Sequence, residues 1–201
     1  MSEKTDKKQR ILNSAMELFL RYGYLKTSLE DIAHKAGFGK ATIYHYFPNK
    51  EVLFLSVMEI KCDELFIAMR EIIDAESGFE EKIAVFIRTP VKLLYEHLPV
   101  MLEGLNQIPY TYQTMVVEFG QSVRIRMCDL LTEILAYGKE QGILAGFIDP
   151  VRFVAVVYDW LLLGDPNVKI TNARELIRKV DEDNETITQI VLYGIIKRGM
   201  E

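Results

Sequence analysis

The sequence predicts an all-α fold, a small N-terminal three-helix unit followed by a larger helical domain. Three observations predict it. Apolar residues recur at three- and four-residue steps along nearly the whole chain. No stretch alternates with the period of two that marks a half-buried strand, and no Asn-Gly hairpin signal is present. Gly and Pro fall between the periodic stretches, where helices stop.

A first helix runs from about Lys7 to Tyr22, with Ile11, Leu12, Ala15, Met16 and Phe19 on one face and Gly23 as its stop. The polar residues before it, Met1 to Arg10, are expected to fray. A second helix follows Thr27 and Ser28, where Ser28 and Asp31 stand at capping-box spacing; its buried stripe is Leu29, Ile32, Ala33 and Ala36, and Gly37 breaks it. A short third helix covers about Lys40 to Tyr46 and ends at Pro48-Asn49. A longer amphipathic helix spans Lys50 to about Ala75 and bridges into the larger domain. Beyond it come Phe79–His97, Pro99 to about Asn106, Tyr112–Gln141, Val151–Leu163 and a last helical region ending near Arg198. The domains are placed at residues 1–50 and 51–201.

The 201 residues carry a formal net charge of −5, unevenly spread. Residues 1–50 hold nine Lys/Arg against five Asp/Glu, a net +4, and the remainder is net −9. A basic end on an acidic body suits a protein that presents one end to a polyanion. Cys62 and Cys128 stand far from each other and from any His at metal spacing, which argues against a disulfide framework and fits a reducing cytoplasm. No apolar run of ~18 residues suggests a membrane span. No nucleophile with a placed base, metal-ligand cluster or glycine-rich phosphate loop is evident, and His34 and His97 stand alone. An enzyme, a bound metal and a cofactor are therefore not expected.

The most informative segment is residues 29–47. Its pattern is that of two short helices crossing steeply. Ala33 is small where the second helix crosses, Gly37 supplies a positive-φ turn four residues later, and Ile43 points back toward Ile32 and Phe47. That geometry leaves Gly39, Lys40, Ala41, Tyr44 and His45 facing outward, a face suited to the DNA major groove. The Ala41 methyl or Tyr44 ring can meet a thymine methyl, and Lys40 can reach a guanine edge or a phosphate. Thr42, His45 and the Tyr44 hydroxyl can bond phosphates. Thr27 and Ser28, at a helix start, and Lys50, at the start of the bridging helix, can do the same. Each has a plainer reading: Thr27 and Ser28 as caps, the lysines as surface charge, the aromatic run as half-buried packing.

On these residues the chain resembles the TetR/AcrR family of bacterial transcriptional regulators. The matching elements are Ala15–Phe19, Gly23-Tyr24, Thr27, Ile32-Ala33 through Gly37, Lys40, Thr42, the Ile43-Tyr44-His45-Tyr46-Phe47 block, Asn49-Lys50-Glu51 and Leu53-Phe54. Gly39 departs from the pattern, which usually has Ser or another cap there. The resemblance covers about the first quarter of the chain. It implies a helix-turn-helix DNA-binding domain, a C-terminal ligand-binding and dimerisation domain, and a repressor released from double-stranded DNA by a small-molecule effector. An architectural or division-linked DNA binder of the same fold, or an activator, would share the sequence features. For the effector pocket the resemblance directs attention to the Met- and aromatic-rich centre: Phe66, Met69, Phe86, Tyr95, Met101, Tyr112, Met115, Phe119, Met127 and Trp160, residues that equally suit an ordinary core. For a homodimer it directs attention to the last two major helices, through Val154, Tyr158, Leu161, Ile190, Tyr193 and Ile196.

Overall fold

The computed structural model describes residues 3–157 together with 188, 191, 192 and 195. Every regular element among them is helical: α1 (Glu3–Tyr22), α2 (Leu29–Ala36), α3 (Lys40–Tyr46), α4 (Lys50–Ala75), α5 (Phe79–His97), α6 (Pro99–Asn106), a 3₁₀ turn (Tyr110–Tyr112), α7 (Gln113–Glu140) and α8 (Pro150–Val157). Helix α1 begins at Glu3, ahead of the start expected near Lys7. No helix among the described residues is long and apolar enough to cross a membrane.

The chain packs as two compact units, Met1–Glu64 with Glu96–Phe119, and Leu65–Tyr95 with Gly120–Glu201. Helices α4 and α7 each contribute to both. This packing division differs from the division at residue 50 expected from the sequence.

In the first unit, the apolar stripes of three short helices meet. Ile11, Ala15 and Phe19 of α1, Ile32 and Ala33 of α2, and Ile43 of α3 are buried, with Phe47, Leu53 and Phe54 closing the same core. Burial of each large side chain is worth about 1.5–3 kcal/mol. Isolated helices as short as α2 and α3 do not persist in water, so this shared core is what holds them. The Phe54 ring meets Phe19 and Tyr24 edge-on, with centroids 5.0 and 5.1 Å away.

The second unit centres on Met69 and Ile73 of α4, Phe79, Ile83 and Phe86 of α5, Leu130, Leu131, Ile134 and Leu135 of α7, and Val154 of α8. Helix α4 has no basic residue in its last turn, and Lys82 of α5 supplies one from outside, donating to the Ile73 carbonyl at 2.7 Å. Helix α5 tolerates Pro90 in its interior at the loss of one backbone donor.

Among the expected dimer residues, Val154 is corrected. It is only 2% exposed and packs into the core of its own unit, because its helix turns that side inward. Tyr158, Leu161, Ile190, Tyr193 and Ile196 lie outside the described residues.

Candidate nucleic-acid interface

Helix α2 is capped at both ends, and the caps set the angle at which α3 leaves it. At the start, the Ser28 hydroxyl accepts from the Asp31 N–H at 3.1 Å, while the Ser28 N–H donates to the Asp31 carboxylate at 3.0 Å. This is a complete capping box. At the end, Gly37 adopts φ 72° and ψ 33°, and the Phe38 N–H closes back on the Ala33 carbonyl at 2.9 Å. A residue with a Cβ is strained in that left-handed conformation. Arg10 of α1 secures the turn: it donates to the Ala36 carbonyl at 3.0 Å while its guanidinium lies 4.7 Å from the Phe38 ring centroid.

Helix α3 follows with Gly39 as N-cap in extended conformation and no side-chain cap. Ile43 and Phe47 are buried on its inner side, whereas Gly39, Lys40, Ala41, Tyr44 and His45 are exposed and Thr42 is partly so. The outward face foreseen from residue spacing is therefore free of contact with the core. Tyr44 is 46% exposed, which leaves its ring available to a groove.

Four expected phosphate contacts read differently in the structure. Thr27 is 2% exposed, and its hydroxyl lies 2.8 Å from the Gly23 carbonyl and 3.3 Å from that of Leu18, so it stitches the α1–α2 turn. Ser28 spends both its N–H and its hydroxyl on Asp31, whose carboxylate, with Glu30, already gives the α2 N-terminus its negative charge. Hydrogen bonds from Ser28 hold the Asp31 carboxyl below the usual carboxylate range. Lys50 points inward. Its ammonium donates to the carbonyls of Tyr24 at 2.7 Å and Thr27 at 3.0 Å and lies 4.1 Å from the Tyr24 ring centroid. Partial burial pulls its pKa down, and burial together with the hydrogen-bonded Glu51 carboxylate pushes that of the Tyr24 hydroxyl up. Lys40 stays on the reading face but is ion-paired with Glu30 of α2, and its ammonium lies 5.8 Å from the Tyr44 ring centroid.

Sequence reasoning missed Arg10 and Glu30. Each acts on a residue that only folding brings near, and no local spacing announces it.

The expected pocket residues among the described ones are divided between the two units. Met101 is fully buried in the first unit, whose α7 segment also holds Met115 and Phe119; Tyr112 precedes them in the 3₁₀ turn. Met69 and Phe86 are close-packed in the core of the second unit, and Met127 packs against that core. Met69, Phe86 and Met101 are corrected to core residues, since side chains so enclosed leave no free wall, whereas Tyr112, Met115, Phe119 and Met127 are half-buried. The Tyr95 side chain and Trp160 lie outside the described residues. Phe66 does line an open groove of about 570 Å³ between α4 and α7. Its lining is more charged than expected: Arg126 lies 4.0 Å from the Phe66 ring centroid, and Arg70 holds Glu133 through two bonds of 2.6 and 3.1 Å.

A three-helix head with an exposed second-helix face of the turn defines a helix-turn-helix DNA-binding protein. Residues 11–57 match the bacterial regulatory proteins of the tetR family, and the chain thus carries the DNA-binding domain of TetR-family transcriptional regulators. It is 27% identical over 161 residues to the HTH-type transcriptional regulator RutR of Escherichia coli K12, covering 76% of this chain and 70% of that one. Among solved structures it is similar to a transcriptional regulator from Cytophaga hutchinsonii, at 23% identity and a TM-score of 0.71, over 95% of this chain and 99% of that one. It also resembles FadR from Bacillus subtilis in complex with stearoyl-CoA, at 22% identity and a TM-score of 0.56, over 92% of this chain and 96% of that one.

Proposed function

We propose that this transcriptional regulator is a cytoplasmic repressor. It acts as a homodimer on a near-palindromic operator and is released by a small, largely apolar effector. Residues 1–50 would read DNA and residues 51–201 would bind the effector and the partner subunit. The observation that carries the DNA reading is the α3 face itself, where Lys40, Ala41, Tyr44 and His45 stand exposed on a helix whose opposite side is buried. A single short helix of this kind reads few bases, so a second half-site about 34 Å away supplies the remaining specificity. Release follows from linkage: an effector lowers DNA affinity only if it binds the non-DNA arrangement more tightly. The acyl chain held by FadR on the same fold is the support for an apolar effector.

The experiment is a binding titration against a duplex enriched by the protein from a random-sequence pool. Tight binding is expected, with Tyr44→Ala losing about 1–3 kcal/mol of discrimination at an unchanged melting temperature. Failure to enrich any sequence would remove the reading. Long-chain acyl-CoA, added as the first effector probe, is expected to release the DNA. Binding that survives both it and largely apolar molecules without the CoA group would instead favour an architectural role.

A further inference from the structure

Four of the cations around the helix-turn-helix are engaged within the chain. Lys40 pairs with Glu30, Lys35 pairs with Glu17 at 2.5 Å, Lys50 donates to two backbone carbonyls, and Arg10 donates to a third. The net +4 of residues 1–50 already counts Glu17 and Glu30, and Arg10 and Lys50 keep their charge, so the pairing shifts where the positive field lies without lessening it. The Glu30–Lys40 pair matters most, because Lys40 is the first residue of α3 and stands on its outward face.

We propose that Glu30 is a selectivity residue of the DNA interface. Its carboxylate holds Lys40 in the free protein, so that Lys40 adds to affinity only where the base sequence offers a partner strong enough to take the ammonium away. The inference rests on the DNA-binding reading above. Both side chains are about half exposed, 53% for Lys40 and 57% for Glu30, so the pair is within reach of a duplex and can exchange. A phosphate approached non-specifically must compete with an ion already in place, and it also meets the negative charge of Glu30. A guanine edge offers O6 and N7 as acceptors that carry no net charge, so Glu30 repels it far less than it repels a phosphate. The carboxylate thus weakens the sequence-independent part of binding more than the sequence-specific part. Exposed pairs of this type are individually modest, so the effect is a tuning of severalfold and not an on–off switch.

The test compares Glu30→Gln, Lys40→Gln and the double variant on two probes, a random-sequence duplex and the pool-enriched duplex, at several salt concentrations. Glu30→Gln is expected to raise affinity for the random duplex by about two- to fivefold, and for the enriched duplex by less. It should also steepen the salt dependence on the random duplex by nearly one unit of log K against log salt, as one more phosphate contact is made. Lys40→Gln should change random-duplex affinity little in the native background but abolish the gain in the Glu30→Gln background. Glu30 is exposed and on the surface of α2, and matching melting curves would show that the variants fold. Equal gains on both duplexes, an unchanged random-duplex affinity, or strictly additive substitutions would each overturn the proposal while leaving the DNA-binding reading intact. A native protein that binds neither duplex even at low salt would overturn both.

Discussion

Gly104 of α6 lies directly against Phe54 of α4: a Cβ at position 104 would stand 2.6 Å from the tip of the Phe54 ring and 3.1 Å from the Cβ of Tyr24. The approach is close because Gly104 is buried and Phe54 is fully enclosed between Phe19 and Tyr24. Phe54 cannot retreat without opening the core under the helix-turn-helix. Gly104→Ala is expected to cost about 1–3 kcal/mol, as overpacking of an interior site does, despite the better helix propensity of alanine. Urea unfolding measures this; an unchanged or increased stability would mean that α6 moves away freely.

Arg10 reaches the turn between α2 and α3 from a different helix. It satisfies the Ala36 carbonyl, one of the acceptors left over at the end of α2, and covers Phe38. Arg10→Ala is expected to lose about 1–2 kcal/mol of stability. It should weaken DNA binding through the orientation of α3. Arg10→Lys can restore the charge but not the planar stack, so only part of the loss should return. Chemical denaturation and duplex titration on the same samples test this. Full recovery by Lys would show that charge alone matters there.

The two glycines flanking Phe38 should respond in opposite directions. Gly37 sits at φ 72°, where a Cβ is strained, so Gly37→Ala is expected to destabilise by about 1–2 kcal/mol. Gly39 has ordinary extended geometry, and a Cβ there would meet nothing within 4 Å. Gly39→Ser should add the missing cap of α3 and stabilise by a few tenths of a kcal/mol. Thermal or urea denaturation of the pair is the check, and a destabilising Gly39→Ser would contradict the cap geometry.

The head was legible because its signals are local. The Ser28–Asp31 box, the Gly37 turn and the inward Ile43–Phe47 pair each lie within a few residues and follow helix periodicity. What those signals could not give was the partner of each polar side chain. Lys40 and Lys50 look alike in sequence, yet folding turns one outward beside Glu30 and the other inward onto the Tyr24 and Thr27 carbonyls. The pocket residues failed for a related reason. Met and Phe fill a core as readily as they line a cavity, and periodicity does not distinguish the two: Met69 and Phe86 are enclosed, while Phe66 lines a groove.

Acid should loosen the same head through Asp31. Ser28 donates to its carboxylate from the hydroxyl and from the backbone, which sets its folded pKa below the unfolded value of about 3.9. A carboxyl with a depressed folded pKa stabilises the fold above its unfolded pKa, and the contribution disappears as pH falls through the folded value. Glu30 is shifted the same way by Lys40 and adds to the slope. Asp31→Asn is therefore expected to lower the urea midpoint at about pH 7, and the gap from the native protein should close only as pH falls through the depressed folded pKa of Asp31. Equal midpoints at neutral pH would show that the capping carboxylate contributes nothing.

The outer side of α8 is the better candidate for a subunit contact than the side first expected. Val154 faces its own core, whereas Val151 is 68% exposed and Ala155 is exposed one turn later; Phe147, in the turn that precedes the helix, is 82% exposed. Apolar residues at four-residue spacing on a solvent-facing side form a stripe that a partner subunit can cover. If the homodimer uses this helix, Val151→Glu should shift the assembly toward monomer because it places a charge in the contact without touching the core. Val154→Ala should instead cost about 1–3 kcal/mol of fold stability by leaving a void, at little change in monomer–dimer balance once refolding is complete. Sedimentation velocity across a dilution series, paired with urea unfolding, separates the two effects. A Val151→Glu protein that dimerises as tightly as the native chain would place the contact on another surface.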